Sequence, residues 1–143
     1  MAIFNNIVLI DNDPISNFVS EKIISYLNFT KNVTTFLGGE DAIEYFKLNY
    51  LDNILNLPEL ILLHLDMPCM NGFEFIKAFN INFNYPQIIL VILSTSTFEE
   101  NIIKAKKEGI RYYICKPLSV EKLEKLFYCI TKKEHHTNFE LIQ

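Results

Sequence analysis

Four short apolar runs in this chain each end on residues with reactive or charged side chains. Asp11, Asn12 and Asp13 follow Ile7–Ile10, and His64 and Asp66 follow Leu60–Leu63. Ser94 and Thr95 follow Ile88–Leu93, and Lys116 with Pro117 follows Tyr112–Cys115. Loop polarity or a helix cap accounts for one such residue; four runs delivering polar groups to corresponding positions points to a shared site. Carboxylate and amide oxygens there suit a hard cation, though such ions favour charged oxygens. His64 with Asp11 and Asn12 offers imidazole plus carboxylate, a set that suits Zn2+ or Ni2+. The stretch "LILLHLDMPCMNG" places the imidazole where the chain leaves a buried strand and approaches an Asn-Gly turn.

These residues need a scaffold that brings the run ends together. Continuous apolar runs of this length suit strands buried on both faces of a parallel sheet. "VTTFL", from Val33 to Leu37, mixes polar and apolar residues and reads as an edge strand. Helical patterns lie between the runs. Asp13 caps a helix that opens with Pro14 and turns Ile15, Phe18, Val19, Ile23 and Leu27 inward. Ala42, Ile43, Phe46 and Tyr50 form a second stripe; Phe73, Ile76, Ala78 and Phe79 a third. Phe98, Ile102, Ile103 and Ala105 form a fourth, stopped by Gly109. Ser119 caps a fifth, with Val120, Leu123, Leu126, Phe127 and Ile130 facing the core. Strand and helix alternate five times. The expected architecture is a three-layer α/β/α sandwich around a doubly wound, five-stranded parallel sheet, (βα)5, over residues 1–131. In such folds the working crevice lies beyond the C-terminal strand ends, where the residues named above fall.

Residues 132–143 read as a polar C-terminal extension that keeps Phe139, Leu141 and Ile142, with His135 and His136 as solvated residues. Asn49–Leu57 reads as a long connection or the end of a helix.

With 143 residues, the chain suits one core. Half the residues are apolar, the composition of a globular domain, and the net charge of −4 argues against a nucleic-acid-binding surface. Cys69, Cys115 and Cys129 are odd in number and widely spaced, which suits free thiols and not a disulfide framework. No apolar run approaches the ~20 residues of a membrane helix, and the N-terminus lacks a signal-peptide pattern. A cytoplasmic protein without membrane contact is expected. "DNDPISN" has no glycine, so neither a dinucleotide fingerprint nor a P-loop follows the first strand.

"VLIDNDP", "HLDMPCMNGFEF", "ILST" and "YICKPL", at these separations, make residues 5–131 resemble the receiver domain of two-component response regulators, the chemotaxis-type, flavodoxin-like fold. The resemblance implies a phosphoacceptor aspartate three residues before Met67, acids after the first strand that hold Mg2+, and a lysine that pairs with the phosphoryl group. It also implies a switch hydroxyl and a mobile aromatic. Residue by residue, Asp11 takes the first acid, Lys116 the lysine, Ser94 with Thr95 beside it the hydroxyl, and Tyr113 the aromatic. Two positions depart. Asn12 stands at the second acid position, and His64 stands at the acceptor position.

An imidazole cannot form an acyl phosphate. A metal site of Asp11, Asn12 and Asp66 would hold Mg2+ weakly, and no catalytic residue is expected. The expectation is therefore a stand-alone, degenerate receiver, not an enzyme, that acts by phosphorylation-independent protein binding. In it His64 donates to Asp11 or pairs with it as a cation, in place of the metal. Two alternatives stay open: phosphorylation at Asp66 or on His64 itself, and a transition-metal-binding module. The implied partners are a histidine kinase, a phosphotransfer protein or another response regulator. They would meet a monomer or weak homodimer through the face of the fourth helix, fifth strand and fifth helix, which carries Ile102, Lys106, Arg111, Tyr113, Glu121 and Lys122. A cis bond at Lys116-Pro117 is compatible with this loop.

Overall fold

The computed structural model describes residues 3–50, 57–132 and 139–143. The strands are β1 (Phe4–Ile10), β2 (Thr30–Phe36), β3 (Leu60–His64), β4 (Ile89–Ser94), β5 (Tyr112–Cys115) and β6 (Glu140–Ile142). The helices are α1 (Pro14–Leu27), α2 (Gly39–Tyr50), α3 (Gly72–Phe83), α4 (Glu99–Lys107) and α5 (Val120–Thr131). Every strand pair is parallel, in the order β2-β1-β3-β4-β5-β6. The order reverses at β1, which opens a crevice between β1 and β3 at their C-terminal ends.

The sheet has six strands, one more than the sequence pattern counts. β6 comes from the C-terminal extension and pairs with β5 in the register Tyr112↔Glu140, Tyr113↔Leu141 and Ile114↔Ile142. The alternation Phe139, Glu140, Leu141 is a strand period that splits side chains between the two sheet faces. Phe139 and Leu141 pack with the cluster beneath α2, α3 and α4, whereas Ile142 is fully buried with Leu123, Leu126 and Phe127 on the α5 side.

The core strands are buried on both faces, as their unbroken apolar runs require. Ile7, Leu60, Ile61, Leu63, Val91 and Ile92 are inaccessible to solvent. β2 is an edge strand, and its mixed composition leaves it half exposed.

Local chemistry sets the helix ends. The Asp13 carboxylate accepts from the Ile15 N–H and Pro14 opens α1. Ser119 accepts from the Lys122 N–H at the start of α5. Asn71 and Glu74 form a reciprocal capping box that starts α3. Gly109, at φ +81°, turns the chain out of α4.

One helix is rotated relative to its apolar pattern. Ile15, Phe18 and Val19 of α1 are 72%, 59% and 48% exposed, and the buried positions are Asn17, Ser20 and Ile24. The cause is a polar anchor: the Asn17 amide donates to the carbonyls of Asp11 at 3.0 Å and Phe36 at 3.2 Å. It ties the ends of β1 and β2, where the Phe36 carbonyl also accepts from the Asp11 N–H at 3.1 Å. At α4, the N-cap residue Phe98 and Ile103 are likewise exposed, and Ala105 is the buried position.

The segment after Tyr50, read as a connection or helix end, lies in part outside the described residues, as do His135 and His136. Cys69, Cys115 and Cys129 are free thiols. No described helix is long and apolar enough to cross a membrane.

Candidate functional site

The C-terminal strand ends converge as the sequence predicts. Asp11, at the end of β1, is buried at 4% exposure. Its Oδ2 lies 2.5 Å from the Lys116 Nζ, which follows β5, and its Oδ1 accepts from the Asp13 N–H at 2.9 Å. Lys116 also donates to the Ser16 hydroxyl at 3.1 Å. Burial alone would push the Asp11 carboxyl up. The Lys116 hydrogen bond, the Asp13 N–H, the Ser16 hydroxyl and the charge of His64 together outweigh it and hold this carboxyl below its ordinary range.

His64 ends β3 half-buried, and its Nδ1 lies 3.3 Å from the Leu93 carbonyl on the neighbouring β4. Among the described residues no hydrogen bond joins His64 to Asp11. The hydrogen-bonded ion-pair partner of Asp11 is Lys116, and the imidazole expected there from the sequence acts on the carboxylate only through its charge. The lysine wins because its flexible stem reaches the carboxylate from β5, whereas the His64 ring leans across the sheet toward β4.

Ser94 is fully buried at the end of β4. Its hydroxyl accepts from the Ser96 N–H at 3.0 Å, and its carbonyl accepts from the Lys116 N–H at 2.9 Å. Tyr113 is also fully buried and donates its hydroxyl to the Ser96 carbonyl at 2.7 Å. Burial, with Cys115 and Asp66 nearby, pushes the Tyr113 phenol up against the lowering effect of the Ser94 hydroxyl. The Lys116-Pro117 bond that follows is cis.

Asn12, Asp66 and Thr95 are exposed, outside the buried Asp11–Lys116 pair. Asp13 is committed to its helix cap. The site residues missed by sequence reasoning are Ser16 and Asn17. Their signal was the polar spacing Asn17–Ser20 inside an otherwise apolar helix, which marks a face that anchors backbone.

A hard divalent cation favours several charged oxygens. Here both oxygens of the one buried carboxylate are already bonded, the second position is a neutral amide, and an imidazole occupies the third. This donor set does not fit Mg2+ in the way the family pattern requires. Among the described residues no three His, Cys, Asp or Glu side chains are grouped to hold a metal ion.

The expected α4–β5–α5 face is altered by β6. The Lys106 ammonium lies 5.0 Å from the Phe139 ring centroid, and the Arg111 carbonyl accepts from the Glu140 N–H at 2.7 Å. Tyr113 is buried beneath Phe139 and Leu141. Lys122 is turned back onto the carbonyls of Cys115 and Pro117. Of the residues assigned to that surface, Lys106 and Glu121 are exposed, Ile102, Arg111 and Lys122 are half-buried, and Tyr113 is buried.

A doubly wound parallel sheet with an acid after β1, a hydroxyl after β4 and a Lys-Pro pair after β5 defines a signalling receiver module. The family model for the response regulator receiver domain matches residues 7–128, and the chain belongs to that family. It is 29% identical over 126 residues to a two-component response regulator of Arabidopsis thaliana, covering 85% of this chain and 81% of that one. It is 33% identical over 122 residues to the nitrate/nitrite response regulator NarL of Escherichia coli, covering 85% of this chain and 52% of NarL. The solved two-component response regulator from Cytophaga hutchinsonii superposes with a TM-score of 0.79 at 29% identity, over 91% of this chain and 98% of that one.

Proposed function

We propose that this receiver domain works by phosphorylation-independent protein binding. The observation that carries the reading is the pairing of Lys116 with Asp11 beside a histidine at the acceptor position. The group that would become an acyl phosphate is an imidazole. The lysine that would meet a phosphoryl group is already neutralised by Asp11. The cation that would offset the transferring charge lacks its oxygen ligands, so Mg2+ binds weakly. The pocket holds one arrangement without a covalent signal.

The partner is a histidine kinase, a phosphotransfer protein or another response regulator. Exposed Ile15, Phe18 and Val19 on α1 support a partner seated beside the pocket. Ile15 and Val19 line a cavity of about 450 Å3 together with Ser16, Thr95, Lys116, Pro117 and Leu118. Scattered exposed apolar residues are ordinary, but two lining a cavity, with Phe18 exposed on the same helix, form a patch that water solvates poorly.

Incubation with acetyl phosphate and Mg2+, followed by intact-mass measurement, tests the reading. The expected result is no phosphoryl mass gain. A gain mapped to Asp66 or His64 overturns it and establishes a working acceptor.

A further inference from the structure

The C-terminal strand does more than extend the sheet. Leu141 stands opposite Tyr113 in the β5–β6 ladder, and the Phe139 ring centroid lies 6.5 Å from that of Tyr113. Lys106 of α4 lies over the Phe139 ring, so Phe139 joins α4 to β5. On the opposite sheet face Ile142 is buried at 1% exposure. β6 is thus fastened on both faces, although only three residues form its ladder. Tyr113 in turn reaches away from β6 into the candidate site. Its hydroxyl donates to the Ser96 carbonyl, the Ser96 N–H donates to the Ser94 hydroxyl, and the Ser94 carbonyl accepts from the Lys116 N–H. One side chain therefore links the tail to the turn that closes the pocket.

We propose that Phe139–Ile142 is an internal ligand of the β5 edge: Phe139 and Leu141 keep Tyr113 buried, Tyr113 holds the Ser94–Ser96 turn, and release of β6 frees both. A fully buried tyrosine covered by two apolar side chains stays where its hydroxyl is bonded. Remove that cover and the ring gains both space and water, while the Ser96 carbonyl loses its partner. A three-residue edge strand opens at lower free energy than the central strands, so the clamp is releasable without global unfolding. While seated, β6 also closes the β5 edge to strand addition by another chain. A partner that uses this edge must exchange with the chain's own tail.

The inference deepens the phosphorylation-independent reading, since it supplies what fixes the pocket in place of a covalent signal. Its test does not depend on that reading, because it is made on unmodified protein. Hydrogen exchange followed by mass spectrometry is compared for the full wild-type chain, the Phe139→Ala/Leu141→Ala chain and a Gln143→Ala control. In the double variant, amides of Tyr112–Cys115 and of Ser94–Ser96 exchange about ten-fold faster or more, while β1 and β3 stay protected. The control matches wild type. Faster exchange in β5 with an unchanged Ser94–Ser96 turn overturns the proposal, because β6 is then an edge cover only. Uniform acceleration in all strands overturns it too, since that is general destabilisation. Tyr113→Phe provides the second arm: the ring and β6 stay, the hydroxyl goes, and the Ser94–Ser96 turn alone should lose protection. An unchanged turn in that variant also overturns the proposal.

Discussion

Lys116 and Asp11 face each other 2.5 Å apart, nitrogen to oxygen, with side chains 14% and 6% exposed. The pair joins the ends of β5 and β1 across β3 and β4, so it staples the rim of the sheet. A buried pair of this kind is costly to break from one side only, because the surviving charge is stranded. Lys116→Met leaves the more buried carboxylate alone and should destabilise by about 3 kcal/mol. Asp11→Asn leaves a lysine whose long stem can carry its ammonium to water, and should cost about half as much. The double variant should be more stable than the sum of the two losses predicts. Urea denaturation of the four proteins measures the coupling; simple additivity would mean the contact contributes nothing.

The same carboxylate predicts an acid limb in the stability curve. Asp11 is held below its ordinary value of 3.8 in the folded chain. A depressed folded value means that the unfolded chain binds the proton more tightly. The stabilisation is therefore full above the unfolded value, and it declines as pH falls through 3.8 toward the folded value. Thermal melts from neutral pH into the acid range should show wild type and Asp11→Asn converging as pH drops. Parallel curves would refute the assignment.

The elements and their caps were legible because their signals are local. Asp13-Pro14, Ser119 and Gly109 act within one helical turn, and unbroken apolar runs report double-sided burial directly. The strand-end residues were legible because parallel topology sends them all to one edge. Two features were hidden for opposite reasons. On α1 the apolar count favoured Ile15, Phe18 and Val19, but the orientation was set by Asn17, which has backbone carbonyls to satisfy. In the tail, Phe139, Leu141 and Ile142 were visible as apolar residues. Their destination depends on an open edge at β5, which no local pattern encodes. The hydrogen-bonded partner of Asp11 differs from the expectation because that expectation put the imidazole in place of the metal, whereas the reach of the lysine side chain decides it.

Restoring the missing oxygens should restore cation affinity. His64→Asp combined with Asn12→Asp places carboxylates at both departed positions. Lys116 then faces several anions instead of one, and the excess negative charge has a divalent ion as its natural partner. Calorimetric titration with Mg2+ should show binding tightened by about ten-fold or more over wild type, a gain of roughly 1.4 kcal/mol. Equal affinities would show that the pocket geometry, and not the ligand chemistry, sets Mg2+ binding. Sub-millimolar affinity in wild type would overturn the donor-set argument outright.

The loop after β3 makes a sharper stability prediction, because two nearby glycines differ in what surrounds them. A Cβ on Gly72 would lie 2.9 Å from the His64 carbonyl oxygen and 3.0 Å from the Leu65 Cα, both backbone atoms that cannot swing aside. The Gly72 N–H also donates to the Leu65 carbonyl at 2.8 Å, which brings the start of α3 hard against the end of β3. Gly38, before α2, has nothing within 4 Å of the corresponding point. Gly72→Ala should therefore cost about 2 kcal/mol, as overpacking against rigid neighbours does, and should disturb the His64 backbone. Gly38→Ala should change stability by less than about 0.5 kcal/mol. Urea midpoints of the two variants test the contrast, and the His64 amide resonance reports the displacement. If Gly72→Ala is tolerated as well as Gly38→Ala, then the close approach of α3 to β3 is not what holds the imidazole at the strand end.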